Sequence, residues 1–160
     1  MKRNLLAGLS LVSLMLITTA LLWSSQTGEA QAHCQVPCGI YDDGARITRL
    51  REDATTIEKA INQILELSGS HEATAFNQAT RWVQTKEHHA THIIDVVSEY
   101  FLTQKVKPVA SGSAGYDVYL KKLADHHAVM VAAMKTKQNV NLSFAHSLSK
   151  AIDALAVHYK

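Results

Sequence analysis

Cysteine, proline and glycine are scarce in this sequence, whose 160 residues include only 2 Cys, 2 Pro and 7 Gly. Two cysteines cannot build a disulfide scaffold or a four-thiolate zinc site. So few turn-forming residues disfavour a β-sandwich or barrel, and no glycine-rich phosphate-binding loop occurs. The formal net charge is only +2, which argues against a nucleic-acid-binding protein. The 9 histidines, in contrast, are many for this length and favour a metal-binding function.

Residues 1–32 have the organisation of a secretory signal peptide. Lys2 and Arg3 precede an uncharged, mostly apolar run over 5–23, and Ala30-Gln31-Ala32 follows as a small-x-small cleavage site. An uncleaved membrane anchor is the alternative, because the run approaches the length of a membrane-spanning helix. We favour cleavage after Ala32. That cleavage predicts a periplasmic or secreted protein with no stable membrane anchor.

The remainder of the chain is predicted to be helical. Stretches 45–68, 70–107 and 116–160 contain neither glycine nor proline, and each is several times longer than a typical strand. The last stretch divides at 138–141, where an asparagine is able to cap a new helix. We therefore predict an all-α fold in which four helices form an antiparallel bundle.

Apolar residues recur at steps of three and four along each predicted helix, as a single buried face requires. The bundle is assigned to residues 45–160 on this basis, and residues 33–44 form an N-terminal arm that does not join it. The apolar positions are Ile47, Leu50, Ala54, Ile57, Ile61, Ile64 and Leu65 in the first helix; Phe76, Ala79, Trp82, Val83, Ala90, Ile93, Ile94, Val97, Tyr100 and Phe101 in the second; Tyr119, Leu123, Met130 and Met134 in the third; and Ala145, Leu148, Ile152, Leu155 and Tyr159 in the fourth.

The arm contains both cysteines, within the sequence His-Cys-Gln-Val-Pro-Cys-Gly-Ile-Tyr over 33–41. One interpretation is a Cys34–Cys38 disulfide, which is plausible in an exported protein. The other begins at the new chain terminus, where the amine of His33, the amide nitrogen and thiolate of Cys34 and the thiolate of Cys38 are able to meet at one ion. Two nitrogen and two sulfur donors in a plane suit Ni(II) or Cu(II), whereas Zn(II) prefers tetrahedral sites.

The pattern His33-Cys34-x-x-Pro37-Cys38-Gly39-x-Tyr41 resembles the "nickel hook" of nickel superoxide dismutases. In that family the hook stands at the mature N-terminus of a short four-helix-bundle subunit. The sequence Ser98-Glu99-Tyr100-Phe101, near the end of the second helix, is a weaker point of similarity. The resemblance extends over the mature chain in length and helix order.

The resemblance implies a superoxide dismutase with one nickel ion per subunit. His33 would bind nickel through its amine and, when the metal is oxidised, its imidazole; Cys34 would bind through its amide nitrogen and sulfur, and Cys38 through its sulfur. The metal would alternate between Ni(II) and Ni(III) while superoxide is converted to dioxygen and hydrogen peroxide. Tyr41 would stand over the open face and restrict access to small anions, and Pro37 would shape the hook. Family members assemble as homohexamers.

This sequence also departs from the family pattern. Gln35 occupies a position that is often Asp, and Thr48 stands where we would look for a Glu that fixes the first residue's imidazole. The basic partner of that Glu has no clear counterpart, although His88 or His89 lies in about the right part of the second helix. Losses of such supporting groups usually lower metal affinity or activity tenfold to a hundredfold.

Other histidines fall on the predicted helices at 88, 89, 92, 126 and 127. His88 and His92 have an i, i+4 spacing that is able to chelate a metal, but we favour solvated or hydrogen-bonded roles for all five. A di-iron bundle would need Glu-x-x-His pairs, and a c-type haem protein would need Cys-x-x-Cys-His; neither pattern is present. Two alternatives to the dismutase remain: an exported helical partner-binding module with a Cys34–Cys38 disulfide, and a copper-binding protein that uses the same arm.

Overall fold

The computed structural model describes residues 42–159, and every regular element in this range is a helix. Helix α1 covers Asp43–Leu67, α2 covers Ala73–Asp95, α3 covers Tyr116–Gln138 and α4 covers Leu142–Ala156. A π-helix, Val96–Lys105, continues α2. The all-α prediction is confirmed, and residues 33–41 of the predicted arm lie outside the described range.

Side-chain pairs between helices show that neighbouring helices run in opposite directions. Arg51 of α1 bonds Asp153 of α4 at 3.0 Å, and Glu58, two turns further along α1, lies 3.5 Å from His146, which comes earlier in α4. Consecutive helices α1–α2 and α3–α4 are joined by short turns. The arrangement is the predicted antiparallel bundle. Within residues 42–159, no helix is both long enough and apolar enough to cross a membrane.

Short polar side chains begin two of the helices. Asp42 accepts a hydrogen bond from the Ala45 amide at 3.2 Å, and α1 therefore starts two residues before the predicted position. Asn141 accepts from the Ser143 amide at 2.8 Å, which confirms the asparagine cap expected between the third and fourth helices. Gly115 precedes α3 with φ of +88°, a left-handed conformation that glycine adopts without steric cost.

A single apolar core connects all four helices and the π-helix, as the four stripes predict. Its members are almost completely shielded from solvent, which is the main favourable contribution to folding. They are Ile47, Leu50, Ala54, Ile57 and Ile61 of α1; Ala90 and Ile93 of α2; Val97, Tyr100 and Phe101 of the π-helix; Val129, Ala132 and Ala133 of α3; and Ala145, Leu148, Ile152 and Leu155 of α4.

Three predicted stripe residues of the first two helices, Leu65, Phe76 and Val83, are exposed instead of buried; Phe76 is 76% exposed. The helices have unequal lengths, and this explains the error. Helix α3 ends next to Lys86, so the first turns of α2 extend beyond it. Helix α4 has 15 residues against 25 in α1 and leaves the end of α1 uncovered in the same way.

The buried face of α3 also differs from the predicted one. Met134 is exposed, whereas His126 and Thr136 are fully buried beside Val129 and Ala133. Both polar side chains are hydrogen-bonded: Thr136 donates to the Ala133 carbonyl at 2.7 Å, and His126 uses both ring nitrogens. Apolar periodicity does not predict this buried face, because two of its residues are polar and are buried with their hydrogen bonds made inside the protein.

The π-helix was not anticipated, since the sequence predicts one continuous helix over 70–107. Its wider turn is reinforced by side chains that bond carbonyls five residues back. Thr103 donates to the Ser98 carbonyl at 2.7 Å, and Gln104 donates to the Glu99 carbonyl at 3.2 Å. Such segments are rare and are frequently found at functional sites.

Lys86 is the most unusual buried side chain in the bundle, with only 2% of its surface exposed. Its ammonium donates to the carbonyls of Thr136 and Lys137 at 2.6 and 2.7 Å, and to the carboxylate of Glu87 at 2.9 Å. These two carbonyls belong to the last turn of α3, where an α-helix has no backbone donors for its final carbonyls. Lys86 therefore caps α3 from the neighbouring helix.

We expect Lys86→Met to lower the free energy of unfolding by about 2 to 4 kcal/mol, because it leaves buried carbonyls without a donor. Urea unfolding followed by circular dichroism measures the change. Lys150→Met removes the same charge at an exposed position of α4 and should change stability by less than about 0.5 kcal/mol. Equal stabilities of the two variants would contradict the capping role.

Candidate metal centre and its attachment to the bundle

The residues predicted to bind and surround the metal lie before the described part of the chain. His33, Cys34, Cys38 and Tyr41 all fall in residues 1–41, so the structure neither brings them together nor separates them. What it does describe is the point of attachment, because Asp42 follows Tyr41 directly and caps α1. The arm therefore enters the bundle at the amino end of α1.

The first turn of α1 is fixed to the π-helix by Asp43. One carboxylate oxygen of Asp43 accepts a hydrogen bond from the Tyr100 hydroxyl at 2.5 Å, and the other lies 3.0 Å from the Lys105 ammonium. Arg46 and Lys105 each lie 5.8 Å from the centre of the Tyr100 ring, within the range of a cation–π contact. We call Asp43, Tyr100 and Lys105 the anchor cluster.

Tyr100 is held in its neutral, proton-donating form by this environment. Burial, together with the hydrogen bond to the Asp43 carboxylate, raises the pKa of Tyr100 to about 12. Tyr100 belongs to the Ser98-Glu99-Tyr100-Phe101 sequence noted above, whereas no sequence pattern identified Asp43 or Lys105 as its partners. The sequence signal for Asp43 was its position just before the first predicted helix, where an acidic side chain is favourable.

A second group of packed and hydrogen-bonded aromatic side chains lies next to the anchor cluster. The Phe101 ring packs 4.2 Å from the ring of Tyr159, whose hydroxyl is 2.6 Å from Nε2 of His126. His126 Nδ1 lies 2.6 Å from the Lys122 carbonyl, which only accepts, so Nδ1 carries the hydrogen and Nε2 accepts from Tyr159. Burial raises the pKa of Tyr159 and lowers that of His126, so both groups are neutral.

An open groove of about 400 Å³ borders the same end of the bundle, between the first turns of α1 and the end of α4. It lies next to the point at which the arm joins α1. Its lining residues are Gly44, Ile47, Arg51, Asp153, Ala156, Val157 and Tyr159.

The residues considered as supports for the His33 imidazole have other partners in the described structure. Thr48 is exposed, and its hydroxyl donates to the Gly44 carbonyl one turn earlier at 3.1 Å. His89 is bound through Nδ1 to the buried carboxylate of Asp53 at 2.6 Å. His88 is exposed, and its ring contacts that of His89 edge-on.

The described bundle contains no metal centre with three or more His, Cys, Asp or Glu ligands. Between residues 42 and 159, no group of three or more His, Cys, Asp or Glu side chains has a geometry that could hold a metal ion. Both cysteines of the chain precede this range, so any thiolate donor must come from the arm. Amine, amide and thiolate donors at 33–38 fit a square-planar ion such as Ni(II).

Comparison with known proteins identifies one family. A model described as nickel-containing superoxide dismutase matches residues 28–160 and so includes both the arm and the bundle. No curated protein and no solved structure matches the chain.

We expect Tyr100→Phe to lower the free energy of unfolding by about 1 to 2 kcal/mol at pH 8, because Asp43 loses a donor. The raised pKa of Tyr100 predicts that this difference narrows at high pH. An unfolded tyrosine ionises near pH 10, whereas the folded one holds its proton to about pH 12, so its contribution decreases between these values. Urea unfolding at pH 8 and pH 11 tests this.

The control is Tyr116→Phe, which removes a half-buried hydroxyl that has no hydrogen bond within residues 42–159. Its effect on the free energy of unfolding at pH 8 should be small. A Tyr100→Phe difference that stays constant from pH 8 to pH 11 would contradict the proposed ionisation.

Proposed function

The chain belongs to the nickel-containing superoxide dismutase family, and from this premise we propose that its N-terminal arm holds one nickel ion per subunit. The enzyme is an oxidoreductase that acts on superoxide. Two superoxide anions and two protons give one dioxygen and one hydrogen peroxide.

The proposed ligands are those of the arm: the amine and imidazole of His33, the amide nitrogen and thiolate of Cys34, and the thiolate of Cys38. When bound, nickel supplies the one-electron exchange, between Ni(II) and Ni(III), that superoxide disproportionation requires. The two thiolates are soft anionic donors and lower the potential of this couple toward the range in which superoxide serves as both reductant and oxidant.

One observation carries the proposal: the His33-Cys34-x-x-Pro37-Cys38-Gly39-x-Tyr41 sequence lies inside the matched region and immediately before the cap of α1. The absence of a three-ligand group within residues 42–159 supports it further. Tyr41 lies one residue from that cap, and we assign it the role of ordering water and admitting only small anions at the open face.

The amine ligand requires processing of the chain. We infer that residues 1–32 direct export to the periplasm or beyond and that cleavage after Ala32 exposes the amine of His33. The uncleaved chain would have an amide nitrogen in place of that amine. Residues 1–32 are consistent with this inference through their basic start, apolar run and Ala30-Gln31-Ala32 sequence.

Assembly into a homo-oligomer, a hexamer by family resemblance, is part of the same proposal. Exposed apolar side chains on the described surface support it, since burial against another subunit would remove them from water. Phe76 is 76% exposed, Val118 60% and Val157 55%. Val157 lines the groove next to the start of α1, where the arm joins the bundle.

We expect Cys34→Ser and Cys38→Ser each to abolish nickel binding and dismutase activity while the helices remain folded. Each change removes one thiolate, and the buried core begins at Ile47, outside the arm. Nickel content by mass spectrometry, activity and far-ultraviolet circular dichroism are measured together on the mature protein.

Val36→Ala, which changes an arm side chain that is not a ligand, is the matched control and should keep nickel. If either serine variant retained nickel and turnover, the proposal would be wrong. A Cys34–Cys38 disulfide in the native protein, or copper in place of nickel, would instead support one of the two alternatives.

A further inference from the structure

Three histidines on α2 lie on one side of that helix. An α-helix turns about 100° per residue, which places His92 between His88 and His89 within an arc of about 100°. His88 and His92 are one turn apart, the spacing at which two helical side chains are neighbours. This histidine face has no part in the function proposed above.

A buried carboxylate orients two of the three rings. Asp53 of α1 is 1% exposed; one of its oxygens lies 2.6 Å from Nδ1 of His89, and the other lies 2.6 Å from Nδ1 of His92. The Arg49 guanidinium is 3.8 Å from the first of these oxygens. Because a carboxylate accepts hydrogen bonds, each ring carries its hydrogen on Nδ1 and presents Nε2 on its opposite side.

Both Nε2 atoms reach solvent. Every buried side-chain nitrogen and oxygen between residues 42 and 159 has a hydrogen-bond partner. Neither Nε2 atom forms a hydrogen bond, so neither is buried; the two side chains are 21% and 35% exposed. An imidazole fixed through Nδ1 by a carboxylate, with Nε2 directed outward, is the usual arrangement of metal-ligating histidines.

We propose that His88 and His92 chelate one divalent transition-metal ion, with Asp53 as the positioning residue of His92 and water completing the coordination. His89 and His92 are each tied to a separate oxygen of Asp53, and their rings are not free to turn toward each other. His88 is exposed and is able to rotate toward His92. Asp53 is not a ligand, because its oxygens face the Nδ1 atoms of His89 and His92, on the side of each ring opposite Nε2.

The donor set decides the class of ion. Two imidazoles suit copper, nickel or zinc, whereas calcium and magnesium require oxygen ligands. Affinity for nitrogen donors rises from nickel to copper and falls again at zinc, so Cu(II) should bind most tightly. Two protein donors make this a weaker site than the arm, in agreement with the absence of a three-ligand group in residues 42–159.

The test uses the mature chain carrying His33→Ala, Cys34→Ser and Cys38→Ser, which removes the side-chain ligands of the arm. The terminal amine of this variant is acetylated, which removes the amine donor that would otherwise remain in the arm. Failure of the nickel proposal for the arm therefore cannot affect the result. Isothermal titration with Cu(II), and separately with Ni(II), should show one ion per subunit, with Cu(II) the tighter. Electron paramagnetic resonance of the copper form should show hyperfine coupling to imidazole nitrogen.

Adding His88→Gln or His92→Gln should each weaken Cu(II) binding at least tenfold, and Asp53→Asn should weaken it tenfold to a hundredfold. His127→Gln, at an exposed position of α3, is the matched control and should leave the affinity unchanged. His88 is exposed, so its variant stays folded even if loss of buried Asp53 does not. The proposal is overturned if the parent variant takes up no Cu(II), or if His88→Gln or His92→Gln binds as tightly as the parent.

Discussion

The hydrogen bond from Tyr100 to Asp43 is the interaction that fixes the start of α1, to which the arm is connected. It joins the first turn of α1, immediately after the arm, to a π-helix in the interior of the chain. Lys105 adds an ion pair to the same carboxylate, and Phe101 and Tyr159 pack together beside this cluster. These contacts hold in place the residues that directly follow the proposed metal ligands in the sequence.

In the rest of the bundle, buried polar groups fix how the helices align along one another. There is about one such group for each pair of neighbouring helices. Asp53 connects α1 to α2 through two histidines, and Lys86 connects α2 to the end of α3. His126 connects α3 to Tyr159, beyond the end of α4. A buried polar group left without its partner is costly, so each of these contacts opposes sliding of one helix along another. The apolar core provides the driving force, and the polar contacts select one alignment.

The sequence predicted those features that depend on local chemistry. Helix positions followed from glycine and proline spacing, and the cap at Asn141 followed from its side chain. Burial of Phe76 and Val83 was predicted wrongly, since it depends on where the neighbouring helices end. The π-helix is reinforced by the bonds of Thr103 and Gln104 to carbonyls five residues back, which apolar periodicity does not encode. The buried face of α3 was missed because His126 is polar and yet fully buried.

The same division applies to the site. The proposed ligands are contiguous in sequence, so a motif at 33–41 was sufficient to predict them. The contacts that fix the start of α1 come from distant positions instead: Asp43 pairs with Tyr100 of the π-helix. No spacing rule identifies such a pair, and Thr48, which stands where a supporting Glu was expected, donates to a carbonyl of its own helix instead.

The central claim is that a processed N-terminus forms the metal centre, and intact mass spectrometry of the native protein tests it most directly. We predict a subunit that begins at His33 and carries one nickel ion under non-denaturing conditions, with a nickel electron paramagnetic resonance signal in the oxidised state. An active protein with even one additional residue before His33, or one that contains no nickel, would contradict the account.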